Sequence, residues 1–275
     1  MIHQNVVNVI YDFGMNNGDN LEYYLLKAPK VVGVEANVQL CDEVRVRFAE
    51  PIAAGRLSIL NVALVNDEAL DEVTFYLSTG HHVISRLEEP EPAIRHGFRP
   101  VRVAARTPAS VIHEFGTPDY VKIDVEGSDV QVLKNMFDAG IKPPEVSAEA
   151  HSVEVFACLV ANNYTSFCLV DGLSVPNRYG QASIVTPQGS RPFSFKSHSA
   201  GPFGEDIRES WEDADAFLYT LASAFLGWKD IHASRVIPPV QTSRGIQQIL
   251  RRQTVAVARH WASGIRRTLV RGSSN

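Results

Sequence analysis

The sequence predicts an α/β protein with a mostly parallel sheet, an antiparallel edge and helices on both faces. Short β-branched runs alternate with helical patterns over the first 150 residues, which is typical of a parallel sheet. Near-continuous apolar runs such as VVNVI and VVGV indicate strands that helices cover on both faces. After Tyr164, two short apolar runs follow each other without a long helix between them, which indicates an antiparallel pair at the sheet edge.

The β-branched runs predict the strands, and apolar residues at helical spacing predict the helices between them. The predicted strands are Val6–Asp12, Val31–Glu35, Leu57–Val65, Val73–Ser78, Val101–Ala105, Tyr120–Val125, Glu145–Glu149, Phe167–Val170 and Ala182–Val185. The last two form the predicted antiparallel pair. The predicted helices are Gly18–Lys27, Val38–Ala49, Asp129–Ala139, Val153–Asn163 and Trp211–Trp228. Glycine and proline predict loops over Glu88–Pro100 and Ser194–Asp206.

The formal net charge of −5 over 275 residues hides an uneven distribution. Residues 1–230 hold all 31 acidic residues against 18 basic ones and are net −13, whereas eight arginines and no acid follow Asp230. An acidic body excludes a general nucleic-acid binder, whose binding face would be basic. We predict one domain over residues 1–235 and, around the break at Pro238–Pro239, a basic amphipathic C-terminal helix or tail over residues 236–275.

The tail has two interpretations. Its apolar residues Ile246, Leu250, Val257, Trp261 and Ile265 recur at helical spacing, and arginines occupy the remaining faces. Such a helix can lie at a membrane surface or contact an acidic partner. The simpler alternative is a terminal helix that packs on the acidic body, or a partly disordered tail.

The cysteines and the N-terminus predict a cytoplasmic protein. Cys41, Cys158 and Cys168 form no C-x-x-C pair, which favours a reduced chain. No apolar run approaches the roughly 20 residues that span a bilayer. Residues 1–5 lack the basic start of a signal peptide.

A glycine loop, DFGMNNGDN at Asp12–Asn20, stands where the first strand turns into a helix. Glycines let the backbone approach a ligand, and a helix N-terminus points N–H groups at it. The pattern D-x-G-x-x-x-G has an acid where a pyrophosphate-binding loop carries its first glycine, and a carboxylate at Asp12 suits a cationic ligand. Glu35 ends the next strand and can accept hydrogen bonds from ribose hydroxyls. Together they favour S-adenosylmethionine; the loop alone also permits NAD or a purely structural turn.

The sequence resembles the FkbM-type methyltransferases, class I S-adenosylmethionine-dependent enzymes that mostly methylate hydroxyl oxygens. Five segments carry the likeness in the family's order: DFGMNNGDN at Asp12–Asn20, VGVEAN at Val32–Asn37, NVAL at Asn61–Leu64, VKIDVEG at Val121–Gly127 and VSAE at Val146–Glu149. The likeness covers roughly residues 6–170, and KIDVEG is its most specific part. It implies a Rossmann-like class I methyltransferase sheet with S-adenosylmethionine as co-substrate.

The resemblance also implies which residues surround the methyl donor. Those around its methionine part are Asp12, Gly14, Asn16, Gly18 and Asn20. Those that hold or adjoin the rest are Glu35 at the ribose, Asn37 at the adenosine, Asn61 and Ala63 at the adenine, and Asp124 near the sulfonium. Because many methyltransferases cover the substrate with N-terminal helices that precede the first strand, we expect the cover here from Thr79–Pro100 or Ser194–Asp206.

The predicted reaction centre lies where two core strands end. In open α/β sheets, ligands bind beyond the carboxyl ends of the strands, and Asp124 and Glu126 follow one strand while Glu149 and His151 follow the next. Methyl transfer to oxygen needs a positioned acceptor and a base that contributes roughly 10²–10⁴-fold.

Asp124 and Glu126 are the first candidates on the acceptor side, and His151 and His198 are candidate bases. The alternative for the two acids is stabilisation of a helix N-terminus. The alternative for each histidine is a structural role.

The remaining motifs exclude other chemistries. His81, His82 and the other histidines lack metal-ligand spacing, and Asp124–Asp129 matches only part of a calcium loop, so the sequence implies no metal. The chain has no G-x-S-x-G elbow and no Walker loop, which excludes the corresponding hydrolases and kinases.

The leading hypothesis is an S-adenosylmethionine-dependent O-methyltransferase acting on a hydroxyl of a sugar, glycan or other natural product. The resemblance alone supplies the sugar preference. The alternatives are an NAD-dependent oxidoreductase on a related sheet and a catalytically silent methyltransferase-like module that binds glycan or membrane.

Overall fold

A seven-stranded sheet forms the centre of the protein in the computed structural model, which describes residues 7–80, 84–224 and 228–240. The strands within these ranges are β1 (Val9–Phe13), β2 (Lys30–Val34), β3 (Leu57–Leu60), β4 (Ala63–Leu64), β5 (Glu72–Ser78), β6 (Phe98–Arg106), β7 (Tyr120–Ile123), β8 (Glu145–Glu149), β9 (Ser166–Asp171), β10 (Ala182–Thr186), β11 (Gly189–Phe193) and β12 (Lys229–Ser234). The α-helices are α1 (Leu21–Lys27), α2 (Val38–Arg47), α3 (Ala49–Ala53), α4 (Pro108–Phe115), α5 (Asp129–Asp138), α6 (Val153–Ala161), α7 (Val175–Tyr179) and α8 (Ala214–Ser223).

The central sheet has the order β3-β2-β1-β7-β8-β12-β9. The first five strands in this order are parallel, so their carboxyl ends meet at one edge of the sheet. Strand β12 runs antiparallel between β8 and β9 and places Asp230 opposite Glu149. The predicted α/β class, with a mostly parallel sheet and an antiparallel edge, is confirmed.

The antiparallel edge itself differs from the prediction. The sequence predicts that Phe167–Val170 pairs with Ala182–Val185. In the structure the first of these segments lies in β9, which pairs with β12, and the second lies in β10, which forms a hairpin with β11. Only two residues separate β10 from β11, so β10 closes on its immediate neighbour in a tight turn. Helix α8 is also shorter than the predicted Trp211–Trp228, and β12 begins directly after that range.

Two further elements correct the prediction. The predicted strand Leu57–Val65 breaks at Asn61: β3 stays in the central sheet, and β4 pairs with β6. The Asn61 side-chain amide holds the break by donating to the main-chain carbonyls of Glu35 and Ala36, both at 2.9 Å. Helix α4 was not predicted although Thr107-Pro108 marks its start; the Thr107 hydroxyl accepts a hydrogen bond from the Ser110 N–H at 3.1 Å.

Helices cover both faces of the sheet because successive strand residues point to opposite sides. Tyr11 and Phe13 of β1 belong to the core that packs against α4, α5, α6 and α8, whereas Ile10 belongs to the core on the side of α1, α2 and α7. Asp12 lies on the Ile10 side and is fully buried. The face of the sheet that packs against α1, α2 and α7 therefore has a buried carboxyl group, Asp12, within an apolar core. The candidate functional site lies beside this group.

A buried network fixes the segment after β11 to helix α1. The Asp206 carboxylate accepts hydrogen bonds from the Tyr23 hydroxyl at 2.7 Å, the Lys27 ammonium at 2.8 Å and the Val185 N–H at 2.8 Å. Because Lys27 and Asp206 are both buried, the pair is stabilised by these additional bonds as well as by charge. The predicted loop Ser194–Asp206 is thereby anchored at its C-terminal end.

The chain beyond the sheet is described only to Val240. The predicted tail over residues 236–275 lies outside the described residues from position 241 onwards, and the division into residues 1–235 and 236–275 stays a prediction. Within the described ranges, no helix is long and apolar enough to cross a bilayer.

Replacing Gly14 by alanine is expected to destabilise the protein by more than about 3 kcal/mol. Gly14 has a φ of +80°, and an added Cβ would lie 1.8 Å from the Asp124 carbonyl oxygen, so the loop after β1 would have to leave β7. Gly55→Ala is the matched control, because Gly55 has a φ of +69° and open space around it. The control should lose only the roughly 1–2 kcal/mol of left-handed backbone strain. Urea denaturation measures both; equal losses would show that the contact with Asp124 is unimportant.

Glu145→Gln is expected to remove part of the pH dependence of stability. Burial raises the pKa of Glu145 from 4.5 to about 7, against the opposing effect of Lys27. The unfolded chain then loses this proton at lower pH than the folded protein, so folding stability falls as the pH rises from 4.5 through 7. The advantage of Glu145→Gln over the wild type should grow by about 1–3 kcal/mol across this window.

Urea denaturation at pH 5 and pH 8 measures the difference, with the exposed Glu43→Gln as control. A wild type and a Glu145→Gln variant with the same pH profile would contradict the assignment.

Candidate functional site

A cavity of about 750 Å³ lies at the carboxyl edge of the parallel strands. This volume falls within the roughly 300–1,000 Å³ that small-molecule and cofactor sites occupy. The loops after β1, β2 and β7 and the end of β8 form its floor, and segments from between β5 and β6 and from after β11 form its roof. Its polar and charged lining residues are Asn16, Asn17, Asp19, Asn20, Glu35, Ser85, Lys122, Asp124, Glu126, Glu149 and His198.

The glycine loop crosses the end of β2. The main-chain N–H groups of Gly14 and Met15 both donate to the Val34 carbonyl, at 2.9 and 3.0 Å. Positive φ angles at Gly14, Asn16 and Gly18 turn the loop back towards α1. Glycine tolerates this geometry, and asparagine does so better than most side chains. The loop therefore brings its backbone to the cavity wall.

Glu35 connects this loop with the start of α2. Its two carboxylate oxygens accept hydrogen bonds from the Asn16 N–H at 3.0 Å and the Asn37 N–H at 2.7 Å. Burial raises the pKa of Glu35 to about 7, although both bonds favour the ionised form. The carboxylate is 9% exposed and lines the cavity, where a ligand hydroxyl can reach it.

The structure brings six of the ten predicted donor-binding residues to the cavity wall: Gly14, Asn16, Asn20, Glu35, Ala63 and Asp124. The other four act from behind it. Gly18 shapes the loop, Asn37 caps α2 by accepting from the Gln39 N–H at 3.0 Å, and Asn61 holds the break after β3. Asp12 is fully buried and does not line the cavity, so it differs from the expected contact with a cationic ligand.

Lys122 takes the place opposite Asp12. Its ammonium lies 3.6 Å from Asp12 Oδ1, 3.0 Å from Asp124 Oδ2 and 3.4 Å from the Gly14 carbonyl oxygen. Burial acts to lower the pKa of Lys122, but the neighbouring carboxylates of Asp124, Asp12 and Asp230 outweigh it and raise the pKa. Lys122 is therefore charged and forms a buried ion pair with Asp12 and Asp124.

Three carboxylates face each other across the end of the cavity. Asp124, Glu126 and Glu149 each place one oxygen within 4.8 Å of the other two. Burial, followed by Asp124 and Glu149, raises the pKa of Glu126 to about 8. Glu126 has a φ of +48°, an uncommon conformation for a residue with a side chain, and such strain is frequent at functional sites.

The two candidate histidines occupy different positions. His151 Nε2 lies 2.7 Å from Glu149 Oε2, and this bond is the main reason why the pKa of His151 rises to about 9. At neutral pH the imidazole is therefore already protonated, and it does not line the cavity. His198 does line the cavity and is exposed, with a φ of +68°.

Two buried acids beside the carboxylates were not among the predicted site residues. Asp129 begins α5 and Asp230 lies on β12, and within the described residues neither carboxylate has a hydrogen-bond partner. Burial raises both pKa values, that of Asp129 to about 6. The sequence showed Asp129 only as the first residue of a predicted helix, and it gave no signal for Asp230 because β12 was not predicted as a strand.

Both segments expected to cover the site contribute to its roof. Ile84, Ser85 and Leu87 reach the cavity from between β5 and β6. Asn20 accepts hydrogen bonds from the Ser199 hydroxyl and the Ala200 N–H, both at 2.9 Å, and so fixes the segment that carries His198. Apolar side chains such as Ile84 and Leu87 therefore line the upper wall of the cavity, opposite the charged residues of its floor.

Three solved structures that are similar to the chain at low identity are described as methyltransferases. A methyltransferase FkbM from Methylobacillus flagellatus KT is 17% identical over 60% of this chain and 40% of its own, with a TM-score of 0.39. A precorrin-6y C5,15-methyltransferase from Geobacter metallireducens GS-15 is 12% identical over 84% and 81%, with a TM-score of 0.39. A SAM-dependent O-methyltransferase from Thermotoga maritima is 11% identical over 84% and 61%, with a TM-score of 0.38. The chain thus spans 40% of the length of the Methylobacillus protein.

A family model decides the family. No curated protein matches the chain, but the methyltransferase FkbM domain model matches residues 12–160, which is 149 of 275 residues. The match begins at the glycine loop and includes Glu35 and the strand ends that carry Asp124, Glu126 and Glu149. The predicted FkbM-type methyltransferase family is confirmed. The chain belongs to the FkbM methyltransferase domain family, whose co-substrate is S-adenosylmethionine.

Proposed function

We propose that the protein transfers the methyl group of S-adenosylmethionine to a hydroxyl oxygen of a sugar, glycan or other natural product. One observation carries the proposal: a single cavity joins the glycine loop and Glu35 at one end to the carboxylates of Asp124, Glu126 and Glu149 at the other. A donor site and an acceptor site are thus within reach of each other. Methyl transfer requires this arrangement, because the reacting atoms must be held in line at near-attack distance.

The donor end fits a nucleoside with an amino-acid chain. Glu35 offers a carboxylate to ribose hydroxyls, and Val62 and Ala63 offer an apolar surface to a flat base. Asn16, Asp19 and Asn20 offer polar groups beside the glycine loop, where an ammonium and a carboxylate can be held. When bound there, S-adenosylmethionine supplies an electrophilic methyl group on a sulfonium.

The acceptor end fits a hydroxyl compound. The carboxylates of Glu126 and Glu149 can accept hydrogen bonds from hydroxyls, which sugars offer in number. During transfer the hydroxyl oxygen forms a bond to the methyl carbon, the carbon–sulfur bond breaks with its electrons remaining on sulfur, and the hydroxyl proton passes to a carboxylate. We assign Glu126 as the first candidate proton acceptor, acting in its ionised form as the pH rises through its pKa of about 8, because it lines the cavity whereas His151 is bound to Glu149.

The apolar roof supports the same function. Phe75, Ile84, Leu87 and Trp228 line the cavity above the charged floor. Trp228 is held against Gly172, where an added Cβ would lie 2.3 Å from the indole ring. Such a wall excludes water from the reacting atoms and offers a face on which a sugar ring or another apolar surface can pack.

The remaining predictions on location and partners stay proposals. The three cysteines are free, with Cys41 and Cys168 buried, which supports a reducing compartment such as the cytoplasm. The family membership favours a methyltransferase over the NAD-dependent oxidoreductase. A silent binding module is distinguished by the activity test below.

Glu35→Gln is expected to weaken binding of S-adenosylhomocysteine by at least about tenfold, because a hydrogen bond to a charged group contributes roughly 1.5–3 kcal/mol. Isothermal titration calorimetry measures the affinity. Glu43→Gln, an exposed substitution on α2, is the control and should bind as the wild type does. An unchanged affinity in Glu35→Gln would place the ribose elsewhere.

Glu126→Gln is expected to lower kcat by at least about 10²-fold, because the amide cannot take the hydroxyl proton. Transfer of a radiolabelled methyl group to a panel of monosaccharides, oligosaccharides and hydroxylated natural products measures kcat. The product should be an ether and therefore stable in mild alkali. Binding of the donor without transfer to any hydroxyl compound would favour the silent module, and label released by alkali would favour methyl esters over ethers.

A further inference from the structure

We propose that Asp124, Glu126 and Glu149 bind a divalent cation at the acceptor end of the cavity. Each carboxylate offers one oxygen, and the three oxygens lie within 4.8 Å of one another. All three residues line the cavity, so an ion held there would face a bound acceptor. The sequence shows no ligand spacing because the ligands come from the ends of two neighbouring strands, β7 and β8.

The separation of the oxygens fits one ion. Calcium–oxygen distances are about 2.3–2.6 Å and magnesium–oxygen distances about 2.0–2.1 Å, so ligands on opposite sides of an ion lie roughly 4–5 Å apart. The three ligand oxygens are within that limit without movement of the backbone. A set made only of carboxylates favours hard cations such as Mg²⁺, Mn²⁺ or Ca²⁺ over zinc or copper.

Asp230 is the second, independent observation. It is directly opposite Glu149 in the antiparallel ladder, so both side chains point to the same face of the sheet. Its carboxylate is 1% exposed, and within the described residues neither oxygen has a hydrogen-bond partner. Asp124, Lys122 and Glu149 are among the groups that act on it electrostatically, and Lys122 is shared with Asp12 and Asp124. A buried carboxylate without a hydrogen-bond partner is costly unless positive charge lies nearby.

The charges around the site favour an additional cation. The carboxyl groups on the elements that meet there are Asp12, Asp124, Glu126, Asp129, Glu149 and Asp230. The cationic groups near them in the described part of the chain are Lys122, His151 and Arg86. Carboxyl groups outnumber cationic groups by three. A bound cation would offset part of this excess of acidic groups.

The ion would have a defined place in the reaction. It would hold the acceptor hydroxyl oxygen as a further ligand and lower the pKa of that hydroxyl. This role rests on the proposed function, whereas the binding of the cation itself does not. Lys122 then remains the partner of Asp12 and of one Asp124 oxygen, and the other Asp124 oxygen is available to the ion.

Titration of the full chain with Mn²⁺, followed by electron paramagnetic resonance of the free ion, tests the site. We expect one bound Mn²⁺ per chain in the wild type, displaced by Mg²⁺ or Ca²⁺. Glu126→Gln and Glu149→Gln should each weaken binding at least about tenfold, the loss that removal of one ligand from a metal site causes. Glu43→Gln, which removes an exposed carboxylate on α2, should leave Mn²⁺ affinity unchanged.

Absence of Mn²⁺ binding, or binding that both ligand variants leave unchanged, would overturn the cation site. The thermal unfolding and the S-adenosylhomocysteine affinity of the two variants show whether a loss of Mn²⁺ affinity comes from the missing ligand or from a change in the whole fold. Titration with S-adenosylhomocysteine in the presence of a chelator separates the two proposals. If the protein binds the donor but not Mn²⁺, the cation site is contradicted and the proposed methyltransferase function stands. If it binds Mn²⁺ but not the donor, the cation site stands and the proposed function is contradicted.

Discussion

The buried ammonium of Lys122 holds the site together. Its side chain is only 3% exposed, and a buried charge costs several kcal/mol unless it is paired. Asp12 on β1 and Asp124 after β7 provide that pairing, and the Gly14 carbonyl oxygen completes it. These contacts fix the glycine loop against the end of β7. Gly14 must be a glycine for the same reason, since its backbone lies against that of Asp124.

The polar side chains of the site have two different roles: some form hydrogen bonds to the protein backbone, and others line the cavity. Asn37 and Asn61 use their side chains on the backbone, and Asn20 uses its own on the roof segment, so the shape of the cavity is fixed. Asp124, Glu126 and Glu149 instead line the cavity, where Asp124 is paired with Lys122 and Glu149 with His151. Groups of the first kind set the geometry, and groups of the second kind give the cavity its negative charge.

The sequence predicted those parts of the site in which the polar side chains follow directly after a predicted strand. Asp124 and Glu126 follow a strand in a motif that also marks the family, and Glu35 follows the strand next to the glycine loop. The direction in which Asp12 points was not predictable from the motif alone. The fold decides it: the register of β1 and β7 places Asp12 and Lys122 side by side on one face of the sheet, where they form a buried ion pair.

The sequence by itself determined the α/β class, the parallel half of the sheet, the glycine loop and the family. Periodicity, turn residues and short motifs are local features of the chain, so they can be recognised without knowledge of the tertiary structure. Only the tertiary structure decided that β12 enters the sheet between β8 and β9 and brings Asp230 beside Glu149. The physical reason is that antiparallel pairing between distant segments depends on long-range backbone hydrogen bonds and burial, which leave no periodic signal within either strand.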